Sequence, residues 1–414
     1  MRTLVITAGV PYPPIGGVAL RNWQNIQILM NFGTVAVFCI PNISDDLQYE
    51  QPLPETVVWH HNSLRNTNFW QYLEQKLIWK LHPQQHYLVD FRYLNSTDQK
   101  LKQVLRELQP DLVVFADCWL YRYLPTVQQY GCPIILDEHN VEARLFVETL
   151  PPAHGLRASL QTLIAAQDFK TLKRIEGDFV EQADQVWMCS DTDAKLLKTV
   201  YGEAAKVRVV PNGLDVTYYD QVRLGECQLP SELAQVSRSV ILSADFAYPP
   251  NQVAAQLLIE QIFPRLRTDY PDCQLILAGK MPTPQMREAA QNDPQTVVTG
   301  RVTDMRPYLA SASVVIVPLF QGGGTRLKIL EAFAAGRPVV STSKGAEGLK
   351  AEDRQHLLLR DSVEALVEGV SELWTNRTLR QKLVQNAYAL VKAEYSWTAI
   401  GKSVEQYITE LTQN

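Results

Sequence analysis

Short apolar runs of strand length alternate with amphipathic helical stretches along the whole chain, and this alternation restricts the possible folds more than any other feature. Runs at 3–9 (TLVITAG), 34–40, 111–117, 133–138, 185–190 and 206–211 are rich in Val and Ile. Between them lie segments such as 96–109 (STDQKLKQVLRELQ), opened by a Ser/Thr/Asp cluster suited to capping a helix. Strands separated by helices predict a parallel sheet covered on both faces, hence an α/β fold. The rhythm restarts at 239–245 and continues through 273–279, 296–302, 314–319 and 338–342. A polar, turn-rich stretch at 211–235 separates the two series and reads as a linker. The expectation is two doubly wound, Rossmann-like domains, 1–210 and 236–395, facing each other across a cleft, with a final helical segment at 396–414. A length of 414 residues suits two domains of roughly 200 each.

Composition excludes several classes. A net charge of −5 argues against a nucleic-acid partner, because neutralising a phosphate backbone calls for an excess of Lys and Arg. The six cysteines are scattered, without a CxxC pair or histidines at metal-ligand spacing, which suits a reducing cytoplasm and predicts no metal. The opening MRTLVITAGVPYPP reads as too short an apolar stretch for a secretory signal, and no run of eighteen apolar residues occurs, so no membrane crossing is expected. An aromatic, modestly basic stretch at 64–94 reads as cover for the core or for a ligand site, with a peripheral contact at the inner face of the membrane as the second reading.

In open parallel sheets ligands lie beyond the carboxyl ends of strands. The first such loop, VPYPPIGG, places Gly16 and Gly17 ahead of a helix whose free N–H groups suit an anion. It is not GxGxxG, and a simple turn is an equal alternative. The stretch QGGGTRLKILEAFAAG at 321–336 says more. Gly322, Gly323 and Gly324 are costly in conformational entropy unless the backbone must approach something closely. Thr325 can cap the following helix, and Gly336 can end it. Arg326 and Lys328 stand in the first turn, where the helix dipole disfavours cations unless an anion is bound. Glu331 sits among apolar residues. It reads either as a partner of Lys328 at i, i+3 or as a carboxylate that accepts from paired ribose hydroxyls.

Two polar clusters need weighing. SDTD at 190–193 spells the DxD of metal-dependent sugar transfer, yet it opens an amphipathic helix and reads as a cap. The segment 136–146 (LDEHNVEARLF) ends a strand with Glu138, His139, Asn140 and Glu142 close together, expected to face the cleft on the acceptor side. Asp117, ending the run at 111–117, is a candidate of the same kind.

The motifs PYPPIGGVALR, VVPNGLD, TGRVTDMRPYLASASVVIVPL, LEAFAAGRPVVST and YSWTAIGKSVEQYI occur in an order that resembles the family 4 retaining glycosyltransferases of GT-B fold. The resemblance implies a nucleotide-sugar donor, UDP- or GDP-linked, held mainly by the second domain, and a glycan, lipid-linked or small-molecule acceptor in the first. It implies no cofactor, and a final helix that crosses back to the first domain. Glu331 matches the second glutamate of the family's paired motif; the first would fall at Gly323, a departure. The cations that many relatives carry after the strand at 239–245 are also missing, and YPPN, with Asn251, stands there instead. Arg326 and Lys328 then take over the charge on the diphosphate. Backbone at Gly300, Arg301 and Val302 is expected beside the base. His139 resembles the histidine placed near the transferred sugar, with a structural histidine as the alternative. A nucleotide-sugar epimerase or a silent binding protein on the same fold are the competing functions.

Overall fold

The computed structural model describes residues 1–14, 16–40, 54, 57–61, 86, 89, 90, 92–148, 158–202, 206–230, 233, 237–323 and 326–412, with backbone only at 61 and over 158–164. Most of the aromatic stretch at 64–94, together with Gly324 and Thr325, lies outside the described residues. The chain divides into two compact units, Met1–Pro211 with Gly401–Asn414, and Asn212–Ile400.

The first unit holds a seven-stranded parallel sheet of β1 (Arg2–Thr7), β2 (Thr34–Cys39), β3 (Val58–His61), β4 (Leu112–Ala116), β5 (Ile134–Glu138), β6 (Gln185–Met188) and β7 (Val207–Val209). Its order is β3-β2-β1-β4-β5-β6-β7. Leu4 pairs with Ala36 on one side and with Val113 on the other, and all three are buried. Strands enclosed on both faces have no polar side to alternate with, which is why they read as continuous apolar runs.

The second unit repeats the scheme with β8 (Ser239–Ser243), β9 (Gln274–Ala278), β10 (Thr296–Gly300), β11 (Val314–Val317), β12 (Val339–Ser341) and β13 (Leu358–Leu359), ordered β10-β9-β8-β11-β12-β13. Gly279, with φ 146°, ends β9 so close to the Ala244 carbonyl that any side chain would collide with it. In each sheet the strand order reverses between the first and fourth strands, β1 with β4 and β8 with β11. That is where a doubly wound sheet opens a crevice at its carboxyl edge.

The linker expected at 211–235 is corrected. Residues from Asn212 onward belong to the second unit, and they form a 3-10 turn, Thr217–Tyr219, and a helix, Asp220–Leu224. Val216, Tyr219 and Val222 recur at i, i+3 spacing and enter the second core. The Ser/Thr/Asp cluster at 96–98 also differs from expectation: it lies inside the helix Asn95–Leu108, and Asp98 is buried against Lys102 and Thr126. Ser190 does cap the helix Asp191–Tyr201, its Oγ accepting from the Asp193 amide at 3.0 Å, so the DxD spelling serves a helix start. In the last helix, Trp397–Thr412, residues from Gly401 onward count with the first unit; Gln185 Nε2 donates to the Tyr407 carbonyl at 2.9 Å and Arg208 pairs with Glu410 at 3.1 Å.

Candidate active site

The crevice edge of the second sheet is built from the loops that leave β8 and β11. After β8 the chain turns through Asp245–Tyr248 and enters the helix Pro249–Leu257 with prolines in its first positions, where a missing N–H costs nothing. After β11 it runs into the glycine loop. Gly322 has φ 99°, and a Cβ there would lie 2.7 Å from the Tyr248 hydroxyl and 3.1 Å from Pro250 Cγ. The loop therefore rests on the YPP turn, in a conformation and at a distance that only glycine accepts. The helix Leu327–Ala334 follows and stops at Gly336, φ 66°, with the Arg337 amide donating back to Ala332 at 2.8 Å.

Arg326 was expected to face an anion, and the structure corrects that orientation. It is 5% exposed, and its guanidinium donates from Nη1 to the Gly323 carbonyl at 2.6 Å and from Nη2 to Gly322 at 2.7 Å and Lys344 at 3.3 Å. The side chain braces the glycine loop by satisfying carbonyls that a sharp turn leaves without partners. Lys328 is placed differently. Its Nζ donates to Asn251 Oδ1 at 2.8 Å, and burial, reinforced by the charge of Arg326, pushes its pKa down to about 7. Asn251 is itself oriented by a bond from its Nδ2 to the Asp245 carbonyl at 2.8 Å, so the β8 loop and the Lys328 helix meet through this amide.

Glu331 takes its hydrogen bond from the Tyr219 hydroxyl at 3.0 Å, and not from Lys328. Burial raises its pKa, while Tyr219 and Lys328 act in the opposite direction. Lys328, Asn251, Glu331 and Tyr219 thus form one supported polar group beside the glycine loop. Tyr219, in the stretch read as linker, was not foreseen; its only trace in the sequence is the spacing from Val216 and Val222. Gly300 ends β10 with φ 69°, Arg301 is exposed and Val302 is half-buried. They stand at the carboxyl edge of the same sheet, two strands from β8.

At the corresponding edge of the first sheet, Gly16 has φ 94° and precedes Gly17, the first residue of the helix Gly17–Met30. One turn later Arg21, buried, donates from Nε to Asp137 Oδ1 at 3.0 Å and from Nη1 to the Val210 carbonyl at 2.6 Å, while Asn25 Nδ2 donates to Asp137 Oδ2 at 2.8 Å. The loop helix is thereby tied to the ends of β5 and β7. Neither Arg21 nor Asn25 was singled out from sequence. His139 lies 4.0 Å from Asp137 and is 6% exposed, and burial lowers its pKa to about 4, so the ring is neutral at pH 7.

Glu138 is a correction. It is 0% exposed, which removes it from any contact with substrate. Alternation along β5 turns it away from Asp137 and His139, toward Asp117 and Cys118; one ligand atom from each of these three falls within 4.8 Å of the others. Burial raises the pKa of Asp117 and Glu138 well above the carboxylate range, and the Cys118 thiol with them. Such a group is stable only when its charge is neutralised, and the raised pKa values favour the protonated, neutral forms. Asn140 Nδ2 donates to Glu142 Oε1 at 3.1 Å, and Glu176, unforeseen, caps the helix Glu142–Glu148 by accepting from the amides of Glu142 and Ala143 at 2.7 and 2.8 Å. Glu142 is therefore part of a helix start, and Asp117, with φ 107°, keeps partial exposure at the end of β4.

Comparison with known proteins bears on the family and the fold. Residues 53–218 match the family model described as Glycosyltransferase Family 4, and residues 237–376 match that described as Glycosyl transferases group 1. A lipopolysaccharide 1,2-N-acetylglucosaminetransferase of Salmonella typhimurium is 25% identical over 241 residues, which are 52% of this chain and 62% of the relative's length. Among solved structures, a sucrose-phosphate synthase from Thermosynechococcus elongatus aligns over 100% of both chains with a TM-score of 0.70 at 17% identity. Anabaena HepE in complex with UDP and glucose aligns over 98% of this chain and 99% of its own with a TM-score of 0.65 at 14% identity.

Proposed function

The chain belongs to the family 4 glycosyltransferases, with the two Rossmann-like domains of the GT-B fold, and from that premise we propose that it moves a sugar from a nucleoside diphosphate, with UDP favoured, to a glycan or lipid-linked acceptor. The observation that carries this reading is the convergence of the Gly322 loop, Lys328 and Glu331 at the switch point between β8 and β11.

In this reading the diphosphate lies against the glycine loop and the free N–H groups that open the helix Leu327–Ala334, and Lys328 supplies the cation. Glu331, held by Tyr219, accepts from the ribose hydroxyls. As the bond from the sugar to the diphosphate breaks, the negative charge that develops on the leaving oxygen meets donors already in place. The acceptor hydroxyl attacks the same face and passes its proton to the departing phosphate oxygen, which retains configuration and needs neither a protein base nor a metal. His139, neutral and buried, stands in the first unit, on the side to which the acceptor is assigned. The acceptor is assigned to the first unit, near Asp117 and Asn140. The UDP and glucose bound by HepE, and the lipopolysaccharide named for the Salmonella relative, support this choice of donor and acceptor class. No helix among the described residues is long and apolar enough to cross a membrane, and a peripheral association at its inner face fits a lipid-linked acceptor.

Thermal denaturation with UDP, GDP, ADP and TDP sugars tests the donor, since a ligand that binds only the folded state raises its stability. The expected result is a rise with a UDP sugar and its abolition in Glu331→Ala. Incubation with a radiolabelled UDP sugar should then give transfer or slow hydrolysis; an isomerised donor would establish an epimerase in its place.

A further inference from the structure

At the amino ends of β8, β11 and β12, the opposite edge of the second sheet from the glycine loop, lies a cavity of about 440 Å³. Arg337 and Arg380 line it with Ser237, Ser313 and Gln385, and no carboxylate is among its lining residues. Arg337 is partly buried; it donates to the carbonyls of Ala312 and Val222 at 3.3 and 3.2 Å, and its Nε is buried without a hydrogen-bond partner. Arg380 donates once, to the Leu373 carbonyl at 3.2 Å. Among the described residues no acid pairs with either. A desolvated guanidinium without a counter-charge is costly, and Arg337 is one; the half-buried Arg380 borders the same opening.

We propose that this cavity binds a small organic phosphate, whose terminal oxygens take the unused N–H donors of Arg337 and Arg380. Two guanidinium groups suit the double charge and three oxygens of a phosphomonoester better than a single carboxylate. The cavity is of the size that holds a small ligand and leaves room for a sugar beside the phosphate. Ser237 and Gln385 supply neutral polar groups for hydroxyls.

The site also has a physical connection to the opposite edge. Arg337 follows Gly336, which closes the helix that carries Lys328 and Glu331, and its Nη2 holds Val222 in the helix adjoining Tyr219, the partner of Glu331. An anion that draws on Arg337 therefore acts on both elements that set Glu331. This coupling rests on the donor reading given above; binding in the cavity does not.

The test uses ribose 5-phosphate as probe, ribose as neutral control and inorganic phosphate for size, read by thermal shift and calorimetry on the full chain. Ribose 5-phosphate should raise the melting temperature, ribose should not, and inorganic phosphate should act more weakly. The shift should be lost in Arg380→Gln, which removes only one structural hydrogen bond, and should persist in saturating UDP. UDP affinity should change about fivefold when the cavity is filled. No shift at about 10 mM ribose 5-phosphate, an equal shift in Arg380→Gln, or abolition by UDP would each overturn the proposal. A response to ribose 5-phosphate with none to any nucleotide would leave the cavity assigned and remove the donor reading.

Discussion

The Tyr219 hydroxyl donates to Glu331 Oε1 at 3.0 Å, joining residues 112 positions apart and fixing an acid that burial would otherwise drive toward its neutral form. A hydrogen bond to a charged group contributes about 1.5–3 kcal/mol. Tyr219→Phe should therefore raise the KM for the nucleotide sugar roughly tenfold or more with kcat little changed, because ribose binding is the same in ground and transition states. Steady-state kinetics on the folded variant decide it, and an unchanged KM would remove Tyr219 from the site.

Lys328 gives a pH signature. Its pKa falls from 10.5 to about 7 on folding, so the unfolded chain binds more protons between those values. Its contribution makes the ligand-free protein more stable as pH rises from about 7 to about 10.5, and Lys328→Met should flatten that slope in urea titrations. A bound diphosphate favours the ammonium form, so nucleotide binding at pH 7 should take up about half a proton and weaken as pH rises. Calorimetry in buffers of different ionisation enthalpy measures this, and zero uptake would separate Lys328 from the phosphates.

How much of this was legible follows from where each signal sits. The central strands were visible because burial on both faces makes them continuous Val and Ile runs. The edge strand β13 was missed because it is two residues long, and β3 because its VWHH is largely unburied and forms no continuous apolar run. The glycine loop announced itself by composition. The direction of Arg326 did not, since nothing local distinguishes a guanidinium facing a ligand from one satisfying its own loop. Tyr219 and Arg21 work through partners more than a hundred residues away, and PNGLD, just ahead of Tyr219, gave turn chemistry that hid the helical spacing of Val216, Tyr219 and Val222.

The Arg21–Asp137 pair is buried at 2% exposure on both sides, so its two members should not be separable. Arg21→Met leaves a buried carboxylate held by the Asn25 amide beside a neutral His139 and should cost about 3–5 kcal/mol. Arg21→Met combined with Asp137→Asn should recover part of that loss. Urea denaturation of the four proteins measures the coupling, and simple additivity would contradict the pair's role in tying the loop helix to β5.

The glycine loop makes the strongest demand on a single atom. At Gly322 a methyl group meets both a φ of 99° and the Tyr248 hydroxyl at 2.7 Å, so Gly322→Ala forces the loop away from the YPP turn. Arg326→Ala frees the loop from the other side by orphaning the carbonyls of Gly322 and Gly323, each at a cost of about 1–3 kcal/mol where buried. Arg326→Lys should not rescue it, because an ammonium cannot reproduce the planar fork that holds two adjacent carbonyls. All three variants should lose donor binding together with kcat, about a hundredfold in kcat/KM, since the preorganised N–H groups are displaced from the developing charge. Lys328→Met, by contrast, keeps the loop and removes only a cation. Wild-type kcat/KM in Gly322→Ala would show that the loop is a surface turn and that the phosphate binds elsewhere.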